Sequence, residues 1–155
     1  MLATTRKHHP FAKELCVKAV IAGGGTIHRL GLFDSVLFFK NHTIVYENFA
    51  KFCEKIPVFK AKMPEKKIMV ECEGLDEFYE LLKHCPDVVV CDKFTPLMID
   101  ECLKIRNDSF KNLIIAAAGG ISLKNCDEFA KSDIIITSAP YTQGVCDLGS
   151  KIEFA

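Results

Sequence analysis

Short apolar runs alternate along the chain with stretches of helical spacing, and that alternation predicts the architecture. Residues 1–6 can form a first strand. Pro10 suits the opening turn of a helix over 11–22 that stops at Gly23-Gly24-Gly25, although 17–22 also reads as a strand. Residues 35–39 predict a strand closed by Lys40-Asn41-His42, residues 47–55 a helix, and 57–67 a basic, proline-containing connection. A strand over 67–72 ends in Glu71-Cys72-Glu73 and leads to an amphipathic helix over 76–84. The unbroken apolar run 87–91 ends in Asp92 and Lys93, ahead of a helix over 96–106 with Pro96 in its first turn. A strand over 113–118 runs into Gly119-Gly120, with a helix over 123–131 beyond it. The last strand, 133–137, precedes Ser138-Ala139-Pro140-Tyr141, and the tail carries Asp147 and Lys151.

Continuous apolar strands alternating with helices predict an α/β fold with a helix-covered parallel sheet, in one domain over residues 1–155. The six strands so predicted fall short of a closed eight-stranded barrel. The sheet is then an incomplete parallel α/β barrel, or lacks pieces that another segment supplies. Charged or glycine-rich groups follow every strand, at the edge where barrels and open α/β sheets bind ligands.

Composition changes this picture little. The chain is 49% apolar and 26% charged with zero formal net charge, which gives no reason to expect a nucleic-acid partner. No apolar run is long enough to span a membrane and no secretory signal opens the chain, so a cytoplasmic protein without membrane insertion is expected. The eight cysteines form no Cys-x-x-Cys pair and mostly sit in apolar runs, which predicts reduced, largely buried thiols rather than disulfides or structural zinc.

Three groups of residues carry candidate chemistry. Arg6, Lys7, His28 and Arg29 form a cationic set able to hold a multiply anionic ligand; the alternative is a solvated basic patch. Glu71 and Asp92, at the ends of neighbouring strands, suit Mg²⁺ shared with phosphates or water, or sugar hydroxyls, or merely cap and pair. Ala118-Gly119-Gly120, small residues between a strand and a helix, would let backbone amides and the helix dipole meet a phosphate, with Ser138-Ala139 as the opposite wall. No Ser-His-Asp or Cys-His arrangement follows from the spacing. Cys72 and Cys91 flank the acids but should point to the other face of the sheet.

The ordered phrases Thr4-Thr5-Arg6-Lys7, Gly23-Gly24-Gly25 with His28-Arg29-Leu30-Gly31-Leu32, Val70-Glu71-Cys72, Asp92-Lys93-Phe94, Ala118-Gly119-Gly120-Ile121 and Thr137-Ser138-Ala139-Pro140-Tyr141 resemble the catalytic domain of the type II phosphoribosyltransferases. That superfamily contains quinolinate phosphoribosyltransferase, or nicotinate-nucleotide pyrophosphorylase, an enzyme of NAD biosynthesis. The glycine-rich, Asp-Lys-Phe and Thr-Ser-Ala-Pro-Tyr phrases are most similar to its ModD branch, associated with molybdenum transport. The resemblance implies an incomplete barrel, usually preceded by an α/β sandwich domain. It also implies a pentosyltransferase that passes phosphoribosyl from phosphoribosyl pyrophosphate (PRPP) to a carboxylated nitrogen heterocycle with Mg²⁺, releasing pyrophosphate. On that basis Arg6, His28 and Arg29 bind the acceptor's carboxylates and Lys7 assists there or holds the pyrophosphate. Glu71 and Asp92 hold ribose hydroxyls and Mg²⁺ directly or through water, and Ala118, Gly119, Gly120, Ser138 and Ala139 line the 5′-phosphate pocket. A homodimer or higher homo-oligomer is implied, its active site needing the sandwich domain, which this sequence lacks.

Departures from the quinolinate enzymes are equally informative. Phe39 stands where they carry an active-site lysine, and Lys40 beside it should face the other way. Ala118 replaces their phosphate-loop serine, Ala139 a glycine and Lys93 an asparagine. These changes imply a different acceptor, a different rate, or a non-catalytic protein holding an oxyanion or phosphorylated metabolite.

Overall fold

The computed structural model describes residues 1–31, 33–142, 144, 149–151 and 153, so Leu32, Cys146 and Asp147 lie outside the described residues. Seven strands alternate with helices: β1 (Leu2–Thr4), α1 (Lys13–Ala22), β2 (Thr26–Ile27), β3 (Val36–Phe38), α2 (Lys40–Thr43), α3 (Phe49–Cys53), α4 (Ile56–Lys62), β4 (Ile68–Cys72), α5 (Leu75–Leu82), β5 (Val88–Asp92), α6 (Pro96–Ser109), β6 (Ile114–Ala118), β7 (Ile134–Thr137) and α7 (Ala139–Thr142).

All strand pairs are parallel, in the order β2-β1-β7-β6-β5-β4-β3. That is the cyclic order of a barrel with one seam left open, between β2 and β3. The incomplete parallel barrel expected from the sequence is therefore the observed fold, with one strand more than the apolar runs predict.

Strand alternation sorts the side chains into two apolar layers. Ile68, Val70, Cys72, Val89, Cys91, Ile115 and Ala117 face the helices and join Phe52, Phe78, Leu81, Ile99 and Cys102 in the main core. Met69, Val88, Val90, Ala116 and Ile136 face the barrel interior with Leu37, Ile114 and Ala118. Continuing the interior rows toward the C-terminal ends places Glu71 above Met69, Asp92 above Val90 and Phe39 above Leu37. Cys72 and Cys91 fall on the helix side, as expected. Burial pushes the Cys53 thiol up to about 12, and the Cys91 thiol, sharing hydrogen bonds with Cys72 and Cys102, also lies far above its ordinary range.

The helices owe their positions to local chemistry. In α5, Leu75, Phe78, Leu81 and Leu82 make one apolar stripe, with Asp76 and Glu77 in the first turn complementing the helix dipole. In α6, the Thr95 hydroxyl accepts the Met98 N–H at 3.3 Å and Pro96 occupies the first turn. The same device anchors the lower edge of the sheet twice. Asp87 accepts the Ile68 N–H at 2.7 Å and Lys60 Nζ at 2.8 Å, and Asp133 accepts the Ile115 N–H at 2.8 Å and Arg106 Nη1 at 3.1 Å. Each carboxylate thus ties the start of one strand to its neighbour and to a covering helix.

Several sequence expectations are corrected. Residues 17–22 are helical, within α1. The connection over 57–67 contains helix α4, because Pro57 sits in its first turn where no amide is needed. The strand Thr26–Ile27 inside the glycine-rich stretch was not predicted. The helix over 123–131 reduces to a single 3₁₀ turn, Cys126–Phe129. There Asn125 Oδ1 takes the Ser122 N–H at 2.8 Å and Ser122 Oγ takes the Lys124 N–H at 3.3 Å, local bonds that compete with a helical start. Of the seven described cysteines, Cys53, Cys72, Cys91 and Cys102 are buried, Cys85 is exposed, and all are free thiols. Among the described residues no helix is long and apolar enough to cross a membrane.

Candidate active site at the open end of the barrel

A cavity of about 700 Å³ opens at the C-terminal ends of the strands. Every strand contributes to its wall. Thr5, Arg6 and Lys7 follow β1, His28 and Arg29 follow β2, and Phe39 follows β3. Glu71 comes from β4, Asp92 and Lys93 from the end of β5, Ala118, Gly119 and Gly120 from the end of β6, and Thr137, Ser138 and Ala139 from the end of β7. All eleven residues singled out in the sequence therefore gather around one mouth. Leu37, Val90 and Ile136 form its apolar floor.

The cationic wall carries unmet donors. His28 Nε2 and Arg29 Nε are buried without a hydrogen-bond partner among the described residues. Burial, then the neighbouring Arg29, hold the His28 imidazole at about 4, and Arg6 acts in the same sense. The ring is therefore neutral near pH 7 and able to take up a proton when an anion arrives. Burial and the charge of Arg6 also push the Arg29 guanidinium downward. Arg29 has a positive φ of 62°, a conformation costing about 1–2 kcal/mol for a residue with a side chain. The segment after it is clamped: Asp34 accepts the Leu30 N–H at 3.1 Å and the Ser35 N–H at 2.8 Å, and Lys13 Nζ donates to the Leu30 carbonyl at 2.9 Å.

The acidic wall is set by the ladder. Asp92 pairs in register with Ala118, and Glu71 with Val90. Burial, followed by the charges of Asp92 and Glu73, raises the Glu71 carboxyl above its ordinary range. Among the described residues no three His, Cys, Asp or Glu side chains converge to hold a metal by themselves.

Glycine is required at the turn after β6. Gly119 has φ +82°, and a Cβ there would lie 2.4 Å from Asp92 Oδ1 and 2.6 Å from the Lys93 amide nitrogen. The Lys93 N–H donates to the Ala118 carbonyl at 2.8 Å, so the ends of β5 and β6 meet where only a glycine fits. Gly120 also has a positive φ, +74°, but open space around it.

Two readings of this turn change. No α-helix begins behind Gly119-Gly120, so the helix dipole expected there is absent and backbone amides alone remain. The Ala139 N–H is already bonded to Thr137 Oγ1 at 3.0 Å. Thr137, which sequence reasoning missed, also donates its hydroxyl to the Ile121 carbonyl at 2.6 Å and so joins the turns after β6 and β7. Lys40 points away from the cavity to Glu73, at 2.8 Å, while Phe39 lines it.

A seven-stranded parallel barrel open along one seam, with a cationic wall, a carboxylate pair and a glycine turn at its C-terminal mouth, is the frame of an anion-handling α/β-barrel domain. Comparison with known proteins narrows this. Residues 1–149 match the family described as quinolinate phosphoribosyl transferase, C-terminal domain, and the chain belongs to that family. It is 36% identical over 155 residues, 99% of this chain and 55% of the relative, to the Pasteurella multocida protein named "Putative pyrophosphorylase ModD". It is 37% identical over 145 residues, 88% of this chain and 49% of the relative, to the Methanocaldococcus jannaschii protein named "Probable nicotinate-nucleotide pyrophosphorylase" (carboxylating). The structure of the nicotinate-nucleotide pyrophosphorylase from Francisella tularensis superposes with a TM-score of 0.78 at 28% identity, covering 94% of this chain and 50% of that one. The chain spans about half the length of the curated relatives it matches.

Proposed function

We propose that the cavity is a phosphoribosyl-transfer site, in which PRPP donates its sugar to a ring nitrogen of a carboxylated heterocycle and releases pyrophosphate. One observation carries the reading: cations, carboxylates and a glycine turn line different walls of a single cavity large enough for both substrates. Arg6, His28 and Arg29 would take the acceptor's carboxylate, filling the unmet donors of the cationic wall. Lys7 would assist there or meet the pyrophosphate. Gly119, Gly120 and Ser138 would hold the sugar's 5′-phosphate on backbone amides and a hydroxyl, with Ala118 and Ala139 shaping the pocket.

Glu71 and Asp92 would hold the ribose hydroxyls. Two facing carboxylates, one raised by burial and by the other's charge, also fit Mg²⁺, which takes one or two carboxylates and shares its other positions with phosphates and water. Bound there with PRPP, the ion would neutralise charge building on the departing pyrophosphate. The protein's own part is positioning: the carboxylate on the β1–β2 wall and the phosphate on the β6–β7 wall fix the ring nitrogen against the anomeric carbon.

The test is thermal unfolding of the 155-residue chain with PRPP and Mg²⁺, with pyrophosphate, and with neither, followed by an assay for nucleotide formation from PRPP and a pyridine carboxylate. The expected result is stabilisation by both phosphates that is lost in the Glu71→Gln, Asp92→Asn double variant when Mg²⁺ is the added ion. No stabilisation by either ligand rejects the reading. Stabilisation without any nucleotide product shows that this domain binds the phosphates without turning them over by itself.

A further inference from the structure

We infer that Phe39 is the stacking platform for the acceptor ring, and that the acceptor is a planar aromatic heterocycle carrying a carboxylate on one edge only. The inference rests on the transfer reading above and names its substrate class. The seam of the barrel has two lips. One is the end of β2, with His28 and Arg29; the other is the end of β3, with Phe39. The two lips differ entirely in character: the first presents buried, partnerless nitrogens, the second an apolar ring.

The Phe39 ring is fixed rather than free. It follows Leu37 on the interior row of β3 and rests against the His42 imidazole, with centroids 4.1 Å apart at an interplanar angle of 70°. The Phe39 backbone N–H donates to His42 Nδ1 at 3.2 Å, which leaves the imidazole proton on Nε2 and holds the pair together. The ring is half-buried, so part of its surface remains available in the cavity. A planar π-system gains from that surface what a saturated ring of equal size and charge does not.

The charge pattern fixes the rest. An acceptor lying on Phe39 with its carboxylate toward His28 and Arg29 satisfies both lips at once. A second carboxylate on another edge would meet Phe39 and Leu37, which offer no donor, or Glu71 and Asp92, which repel it. Of the other cations, Lys40 is turned outward to Glu73, Lys93 pairs with Asp92 at 3.8 Å, and Lys7 stands after β1, on the wall that already takes the first carboxylate.

The experiment is calorimetric titration of the full chain at pH 7 with pyridine-3-carboxylate, cyclohexanecarboxylate and pyridine-2,4-dicarboxylate, repeated on Phe39→Leu and Phe39→Lys. The expected preference for the pyridine monocarboxylate over its saturated analogue is about tenfold, falling to about twofold or less in Phe39→Leu. Phe39→Lys should turn the preference toward the dicarboxylate. Mg²⁺–pyrophosphate titrated in parallel reads the other half of the cavity and should bind Phe39→Leu as it binds the parent. An unchanged aromatic preference in Phe39→Leu, or equal binding of the flat and saturated acids by the parent while pyrophosphate still binds, overturns the platform alone. Loss of pyrophosphate binding by the parent overturns the transfer reading and the platform with it.

Discussion

The central strands β4, β5 and β6 and the edge strands β2 and β3 feed the same cavity but are built in opposite ways. Each central strand has five residues, and most are fully buried between the two apolar layers. The edge strands have two and three residues, none of them buried. The centre carries Glu71, Asp92 and Gly119, groups that repel or crowd one another and need a stiff frame to stay together. The edges carry Phe39 and the two buried nitrogens, on His28 and Arg29, that find no hydrogen-bond partner among the described residues. The frame is strong where its own groups conflict and light where unpaired donors and an apolar ring stand at the seam.

That contrast can be broken most severely in the main core. Phe78→Ala, at a fully buried position on α5, should lose about 3–5 kcal/mol in urea unfolding, whereas Leu15→Ala on the exposed side of α1 should stay within about 0.5 kcal/mol. Similar losses at the two sites would mean that the edge is as tightly integrated as the centre. A smaller effect separates two adjacent glycines. Gly119→Ala should cost about 2 kcal/mol or more, from backbone strain plus the collision with Asp92 and Lys93. Gly120→Ala, with strain but no collision, should cost about 1 kcal/mol, and equal costs would remove the steric argument.

A further effect is electrostatic and is read across a pH window rather than at one pH. The His28 imidazole titrates near 6.5 when unfolded and about 4 when folded, so the unfolded chain binds more protons between those values. Its contribution is therefore fully present above pH 6.5 and is lost as pH falls toward 4. Stability of the free protein should drop across that window, and His28→Gln should flatten the drop. Inorganic pyrophosphate should also flatten it if it reaches the cationic wall, by stabilising the charged ring. An identical pH profile in His28→Gln would show that the imidazole is not the titrating group.

Much of this was legible from residues alone, for identifiable reasons. The strands β4 to β7 announce themselves as apolar runs because both of their faces are covered, and β4 and β5 carry a carboxylate, Glu71 and Asp92, at or beside their ends. Strand β2 escaped because two residues between a triple glycine and His28 carry no period. Helix α4 was concealed by Pro57, which breaks a helix interior but suits the first turn. The missing helix after Gly120 follows from Ser122 and Asn125, whose side chains capture the amides a helical start would need. In the site, the charged residues were visible by type, whereas Thr137 was not, since a threonine in an apolar run carries no mark of the loop it will hold.

Thr137 has a consequence of its own. A single hydroxyl, giving its proton to one connection and receiving an amide from the next, makes two chain segments sixteen residues apart behave as one rim. Whatever settles on that rim finds its seat already laid, and need not spend affinity on bringing the two halves together.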